Sequence, residues 1–211
     1  MDESTDVTTL NAMHAATYDA VATRYAEVNA AIPEAVLASA RAFVKRLGPD
    51  RRVLELGCGH GRDAAWLAAQ GLHVLGGDLS HRMLCQARMR VPGRLTRLDM
   101  RQLPFVSSGF NGIWSSAAII HLPKTDVPEL LLEVRRVLLP GGIFFAAIQL
   151  GTGEVWEPQS YGQPVRRFFA RYSAREFSEL IQAAGFQILS CDESNGGPAR
   201  HWAHYFAVRP V

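Results

Sequence analysis

The amino-acid sequence predicts a single α/β domain: a doubly wound, seven-stranded, mostly parallel sheet with helices on both faces. Three observations predict it. Short apolar runs alternate with helical patterns from residue 52 onward, a strand-like run leads straight into Gly57-Cys58-Gly59-His60-Gly61, and only a loop separates the last two strand-like runs. Strands separated by helices pair in parallel through right-handed crossovers, whereas two strands joined by a loop pair antiparallel at a sheet edge. A length of 211 residues suits one domain, and 48% hydrophobic with 20% charged residues is a globular balance.

Residues up to about 48 read as helical. Pro33 suits a first helical turn, Val36, Leu37, Ala40, Phe43, Val44 and Leu47 recur on one face, and Gly48-Pro49 closes the pattern. Residues 52–56 then read as a strand, 62–69 as a helix and 73–76 as a strand. Ser80 is placed to cap a helix running to about Arg90, with strands near 95–98 and 112–115. Val127, Leu130, Leu131, Val134 and Leu138 form the apolar stripe of the next helix, which Pro140-Gly141-Gly142 ends before a buried strand at 143–148. Residues 149–172 are polar and aromatic with little periodicity. Ser173-Ala174-Arg175-Glu176 is a capping-box pattern, followed by Phe177, Leu180, Ile181 and Ala184 at helical spacing and Gly185 as the stop. Strands near 186–189 and 202–208 finish the chain.

Bulk properties remove several function classes. A formal net charge of +2 provides no field that predicts a nucleic-acid or membrane partner. No apolar run approaches the roughly 18 residues of a membrane-spanning helix. The acidic start MDESTDVTTL is the reverse of a secretory signal, and Cys58, Cys85 and Cys191 form neither a disulfide framework nor a zinc pattern. A reducing cytoplasm fits these features. Arg82, Arg88, Arg90, Arg94, Arg97 and Arg101 span a helix, a turn and a strand, which makes them a solvated surface and not a nucleic-acid track.

The strongest local signal is Val53-Leu54-Glu55-Leu56-Gly57-Cys58-Gly59-His60-Gly61. Glycines belong in such a loop because the backbone turns sharply and a ligand approaches with no Cβ in the way. A dinucleotide fingerprint, G-x-G-x-x-G, would place its third glycine at position 62, which is Arg62; the glycine comes one residue early, at Gly61. No Gly-Lys-Ser/Thr follows, which excludes a P-loop. At the next strand end, Asp78 of Gly76-Gly77-Asp78-Leu79-Ser80 is placed to accept both hydroxyls of a ribose. At the third, Asp99 and Met100 suit an adenine amino group and an adenine face. Either aspartate taken alone is equally a turn or capping residue. The ordered series of three strand ends is the informative feature, because open α/β sheets bind ligands there.

Residues 53–149 resemble the core of class I S-adenosylmethionine-dependent methyltransferases. ELGCGHG is similar to that family's first motif, GGDLS to its acidic second motif and LDM to its adenine-side motif. Phe110-Asn111-Gly112-Ile113-Trp114-Ser115 resembles the fourth-strand motif, with Asn111 where the family usually has Asp, and Arg136-Val137-Leu138-Leu139-Pro140-Gly141-Gly142 resembles the segment before the fifth strand. The resemblance implies a sheet of order 3-2-1-4-5-7-6 with the last strand antiparallel. It implies S-adenosylmethionine as cofactor and S-adenosylhomocysteine as product. The implied cofactor contacts are Glu55, Gly57, Cys58, Gly59, Gly61, Asp78, Leu79, Asp99 and Met100, together with Ser116 and Ala117 past the fourth strand and Tyr18 and Tyr25 of an N-terminal lid. Residues 1–48 would be the lid, 49–150 the cofactor-binding core, 151–172 an acceptor-side insertion and 173–211 the C-terminal helix and edge strands.

Methyl transfer needs little from the protein beyond positioning and exclusion of water, so a general base is optional. His121, in the loop after the fourth strand, is the candidate, with loop bracing and a cofactor-side role as its alternatives. In the acceptor-side segment Trp156 and Tyr161 are candidates for stacking, and Arg166 and Tyr172 join them, while Phe168 and Phe169 read as packing. His201 and His204 stand three apart on a strand and point to opposite faces, which opposes a metal pair and leaves His201 as the one to face a pocket. The expected acceptor is a small molecule. A peptide or tRNA-base acceptor bound by the arginines of residues 166–175, and a non-catalytic cofactor-binding partner subunit, are the alternatives; Arg62 opposes a dehydrogenase. The acceptor's identity is not legible, and monomer and dimer both stay open.

Overall fold

The structure, a computed structural model, describes residues 7–48, 51–91, 94–158, 161–196 and 200–211. Two helices, α1 (Val7–Val28) and α2 (Glu34–Leu47), precede β1 (Arg52–Leu56), α3 (Arg62–Ala69), β2 (His73–Asp78), α4 (His81–Arg88) and β3 (Leu95–Arg97). Then come β4 (Phe110–Ser116), α5 (Val127–Val137), β5 (Leu138–Gln149), the short strands β6 (Glu154–Glu157) and β7 (Arg167–Ala170), α6 (Ala174–Ala183), β8 (Gln187–Asn195) and β9 (His201–Val208). The seven-stranded sheet runs β3-β2-β1-β4-β5-β9-β8. With the separate β6–β7 pair left out of the count, that is the expected order. β9 is antiparallel to both its neighbours and the other pairs are parallel.

The central strands are buried along most of their length because both faces are covered. Phe43 of α2 and Leu67 of α3 pack with Trp114, Phe145 and Phe206 on one face. Leu130 and Val134 of α5 and Phe177 and Ile181 of α6 pack with Ile113, Phe144 and Ile148 on the other. Each such side chain contributes roughly 1.5–3 kcal/mol by leaving water. Trp114 and Phe145 stack with centroids 3.8 Å apart, and the Trp114 indole N–H donates to Asp63 at 3.2 Å. A buried tryptophan thereby holds α3 against the sheet directly behind the glycine turn.

Local signals act largely as read. Ser80 accepts from the Met83 N–H at 3.1 Å to cap α4, and Ser173 with Glu176 closes a reciprocal capping box on α6. Pro33 proves to be the cap of α2 and not its first helical residue, and Gly48 ends that helix with φ +73°; Pro49 lies outside the described residues. Pro140-Gly141-Gly142 does not precede the fifth strand but forms an excursion within it, since β5 pairs with β4 at Leu138 and again at Ile143.

Within the segment expected as a lid, α2 packs on the sheet through Ala40, Phe43 and Leu47, whereas α1 lies across the cleft described below. Residues 149–172 hold a strand pair that their lack of periodicity did not announce: β6 and β7 pair antiparallel with Val155 opposite Phe169 and Trp156 opposite Phe168. Strands of four residues are too short to show a period of two, and all of β7 is buried, so no alternation marked them. No helix among the described residues is long and apolar enough to cross a membrane.

Candidate functional site

The ends of β1, β2 and β4 and the loop after β3 open onto one cleft, and α1 lies across it. At the end of β1 the chain turns through three left-handed glycines, Gly57 (φ +68°), Gly59 (φ +53°) and Gly61 (φ +78°). A Cβ on Gly57 would overlap that of Ala118, and one on Gly61 would come within 2.9 Å of the Ala87 Cβ. Gly57 and Gly59 face the cleft, and Gly61 leads into α3.

Asp78, at the end of β2, also lines the cleft. Its carboxylate accepts the Gly59 N–H at 2.7 Å and the Ser80 N–H at 2.8 Å. A carboxylate has about four lone-pair positions, so two remain for a ligand with vicinal hydroxyls. Burial pushes this carboxyl up, and the two backbone N–H groups oppose that shift. Leu79, Ser80, Met83 and Met100 add walls around it.

Asp99 does not line the cleft. Its carboxylate is taken by Arg101 Nη2 at 2.6 Å and by the Asn11 amide at 2.6 Å, and Arg101 also reaches Asp126 at 2.9 Å. Although burial pushes the Asp99 carboxyl up, these hydrogen bonds hold it below the usual range. Asn11 itself lines the cleft, and its amide oxygen is not used in that bond.

Asn11, His14, Ala15, Tyr18 and Tyr25 all lie on the inward side of α1. Asp19 ties the helix down by accepting the Ser80 hydroxyl at 2.5 Å and the Arg82 N–H at 2.9 Å, which places a carboxylate at the N-terminus of α4. At the far end β4 gives way to Ser116, Ala117 and Ala118, with Ala117 in the left-handed region at φ +57°. A non-glycine residue held there costs roughly 1–3 kcal/mol and is a common device where a turn shapes a site.

His121 closes this end. Its Nδ1 lies 2.8 Å from the Phe168 carbonyl oxygen, which only accepts, so Nδ1 carries the proton. Nε2 therefore accepts the Tyr18 hydroxyl at 2.7 Å. Burial, helped by the neighbouring His14, lowers the His121 pKa to about 3, and burial pushes the Tyr18 phenol up. Both groups are neutral at pH 7.

Of the expected cofactor contacts, Tyr18, Tyr25, Gly57, Gly59, Asp78, Leu79, Met100, Ser116 and Ala117 line the cleft. Glu55, Cys58, Gly61 and Asp99 do not. Glu55 points into the protein, where burial and the nearby Asp63 raise its pKa well above that of a free carboxyl. Cys58 is buried against Gly76. None of the five expected acceptor residues touches the cleft directly. Trp156 stacks on His14 at 6.1 Å, Arg166 lies over the Trp156 ring, and Tyr161 packs on Tyr25 at 5.2 Å, so these three form an outer layer. Tyr172 is fully buried against Phe177, and His201 is exposed on the β8–β9 edge, where it pairs with Asn195. Its neighbour His204 is buried between Ser39 and Ser194.

His14 was missed. It is the fourth residue before Tyr18, so the i, i+4 spacing puts it on the face that Tyr18 and Tyr25 mark. Asn11, seven before Tyr18, follows by the same rule.

Comparison with known proteins decides which family builds a site this way. Residues 53–142 match the family described as methyltransferase domain. Methyltransferase GfsG of Streptomyces halstedii is 39% identical over 43% of this chain and 35% of its own length. The biotin biosynthesis bifunctional protein BioHC of Cellvibrio japonicus is 33% identical over 85% of this chain and 35% of its own. The chain belongs to the class I S-adenosylmethionine-dependent methyltransferases. It spans about a third of the length of these two curated relatives. Burkholderia thailandensis 1,6-didemethyltoxoflavin-N1-methyltransferase, whose structure holds 1,6-didemethyltoxoflavin and S-adenosylhomocysteine, shares the fold at TM-score 0.78 and 18% identity over 100% of this chain and 93% of that one.

The methyltransferase cleft fits that family's cofactor on its own terms. Gly57 and Gly59 let a ligand approach the backbone, Asp78 has two open acceptor positions for a ribose, and Leu79 and Met100 present apolar surface beside it.

Proposed function

We propose that this methyltransferase binds S-adenosylmethionine in the cleft under α1 and passes its methyl group to an oxygen, nitrogen or sulfur of a small-molecule acceptor. The observation that carries the reading is the carboxylate of Asp78, which lines the cleft and is held by the N–H groups of Gly59 and Ser80 with acceptor capacity to spare. When bound, the cofactor supplies an electrophilic methyl group on a positively charged sulfur. The chain's own residues bind, orient and exclude water. Asp78 holds the ribose, Asn11 and Met100 bound the opposite end, and α1, tied by Asp19, keeps solvent away.

The role of His121 changes in this account. Its lone pair is engaged by Tyr18 and its ring stays neutral at pH 7, so it acts as a positioning residue that aims the Tyr18 hydroxyl. A small acceptor is favoured over a peptide or tRNA because α1 covers the cleft, and of the arginines of residues 166–175 Arg167 is buried while the exposed Arg175 is paired on its own helix. Arg167 pairs with Glu157 at 3.1 Å, and Arg175 with Glu179 at 2.8 Å. The toxoflavin enzyme, with its small acceptor, supports the same reading. Three free thiols, Cys58, Cys85 and Cys191, fit a reducing compartment such as the cytoplasm.

The test is transfer of a radiolabelled methyl group from S-adenosylmethionine to three pools: small metabolites, unfolded peptides and bulk tRNA. Label entering only the metabolite pool supports the proposal. Label entering tRNA or peptide, or cofactor binding without any transfer, would replace it by one of the alternatives.

A further inference from the structure

Among the described residues, His14 is the buried polar side chain of the cleft lining that is left without a hydrogen-bond partner. His14 is 7% exposed, lines the cleft, and neither ring nitrogen has a hydrogen-bond partner among the described residues. His121, 5.7 Å away between ring centroids, spends both of its nitrogens on Tyr18 and Phe168. The contrast sets His14 apart. A buried polar group left without a partner costs roughly 1–3 kcal/mol, so a site that retains one is shaped for something that will satisfy it.

We infer that His14 is the acceptor-recognising residue of the cleft, hydrogen-bonding the protic group of a small, uncharged acceptor lodged beside the Tyr18–His121 pair. The inference rests on the methyltransferase reading above and names the class of acceptor. Four observations support it.

First, the place is right. His14 sits one helical turn before Tyr18 and beside His121, which follows the end of β4. Second, the ring is held rather than loose: Trp156 stacks on it at 6.1 Å with 15° between planes, and Phe168 meets it edge-on at 6.1 Å. Third, burial lowers its pKa to about 4, so at pH 7 it offers one N–H and one lone pair. It suits a ligand group that both donates and accepts, such as a hydroxyl or a ring N–H beside a carbonyl.

Fourth, the charges around it disfavour an ionic acceptor. No lysine or arginine lines the cleft among the described residues, and Asp78 is the sole carboxylate that does. The nearest guanidinium, Arg167, stands against Tyr18 with its charge shared with Glu157 at 3.1 Å and the Phe169 ring, and Arg166 lies over Trp156. A carboxylate or phosphate would therefore have to compete with Glu157 for the one guanidinium nearby, and a cation would be repelled by it.

The test uses the full chain saturated with S-adenosylhomocysteine, histidine-labelled with nitrogen-15, and three probes of similar shape and different charge: phenol, benzoate and benzylammonium. We expect phenol to bind at least tenfold more tightly than either ion and to move the His14 nitrogen resonances while His121 keeps its Nδ1 proton. In His14→Phe, phenol binding should weaken at least tenfold while S-adenosylhomocysteine affinity changes less than threefold. The resonance shift is read in the unmodified protein, so a variant that fails to fold does not block the test. Phenol binding with unmoved His14 resonances, preference for an ion, or no probe binding to the loaded protein would overturn the inference and leave the cofactor reading intact. Failure to bind S-adenosylhomocysteine at all would instead overturn the reading beneath it.

Discussion

Replacing Asp78 by alanine probes the carboxylate on which the cofactor reading turns. In the structure this group already accepts the Gly59 and Ser80 N–H groups at 2.7 and 2.8 Å, so its free capacity is two lone-pair positions. Two charge-assisted hydrogen bonds to ribose hydroxyls, at about 1.5 kcal/mol each, amount to about 3 kcal/mol, or a loss of roughly 150-fold in affinity. The change also frees two backbone donors, which costs stability, so each sample needs a urea denaturation curve to show that it is folded during the titration. The assay is calorimetric titration with S-adenosylhomocysteine. Asp78→Asn, which keeps one acceptor oxygen but turns a donor toward a backbone N–H, should fall between wild type and Asp78→Ala. A folded Asp78→Ala protein that binds within threefold of wild type would remove Asp78 from the ribose role.

Other expectations test separate parts of the account. Gly57→Ala combines a left-handed φ with overlap on Ala118 and should cost at least about 2 kcal/mol more than Gly141→Ala, which has a similar φ but open space around its Cβ; equal losses in urea melts would contradict the packing argument. His14, with its folded pKa lowered to about 4 against an ordinary 6.5, makes stability fall as pH drops from about 6.5 towards 4, because the unfolded chain takes the proton first. Between pH 7.5 and pH 5 that amounts to about 2 kcal/mol. His14→Phe should therefore lose about that much less stability than wild type over the same interval, and an identical loss in both would refute the assignment. Glu55 and Asp78, raised by burial, act in the opposite sense, which is why the difference between the two proteins is the quantity to read. Tyr18→Phe strands the His121 Nε2 lone pair and should destabilise by about 1–3 kcal/mol while leaving Asp78-dependent cofactor affinity within threefold.

The cofactor half of the cleft was legible because its constraints are local. A strand followed by glycines at 57, 59 and 61 states a need for left-handed backbone, and Asp78 follows a strand whose glycines already mark a crowded sheet end. Glu55 and Asp99 show the limit of that reasoning: residue type and position were right for a site, but one side chain turns inward and the other is occupied by Arg101. The α1 face was harder to read. Asn11, His14, Tyr18 and Tyr25 lie on one helix side without forming an apolar stripe, since the surface they cover is a polar, aromatic cleft and not a core. The acceptor side was the least legible. Tyr172 looks like a site residue by type and is core by position, while His201 ends on the far sheet edge because the β8–β9 register carries it there. Long-range pairing decides such placements, and no short window contains it.

Whether the cleft takes S-adenosylmethionine is read by calorimetric titration of the purified chain with S-adenosylmethionine and S-adenosylhomocysteine, with NAD as control. Stoichiometric binding of the first two and none of NAD is expected, since the turn at Gly57, Gly59 and Gly61 and the carboxylate of Asp78 suit one nucleoside. Binding of NAD in place of either, or no binding to a chain shown to be folded, would contradict that expectation.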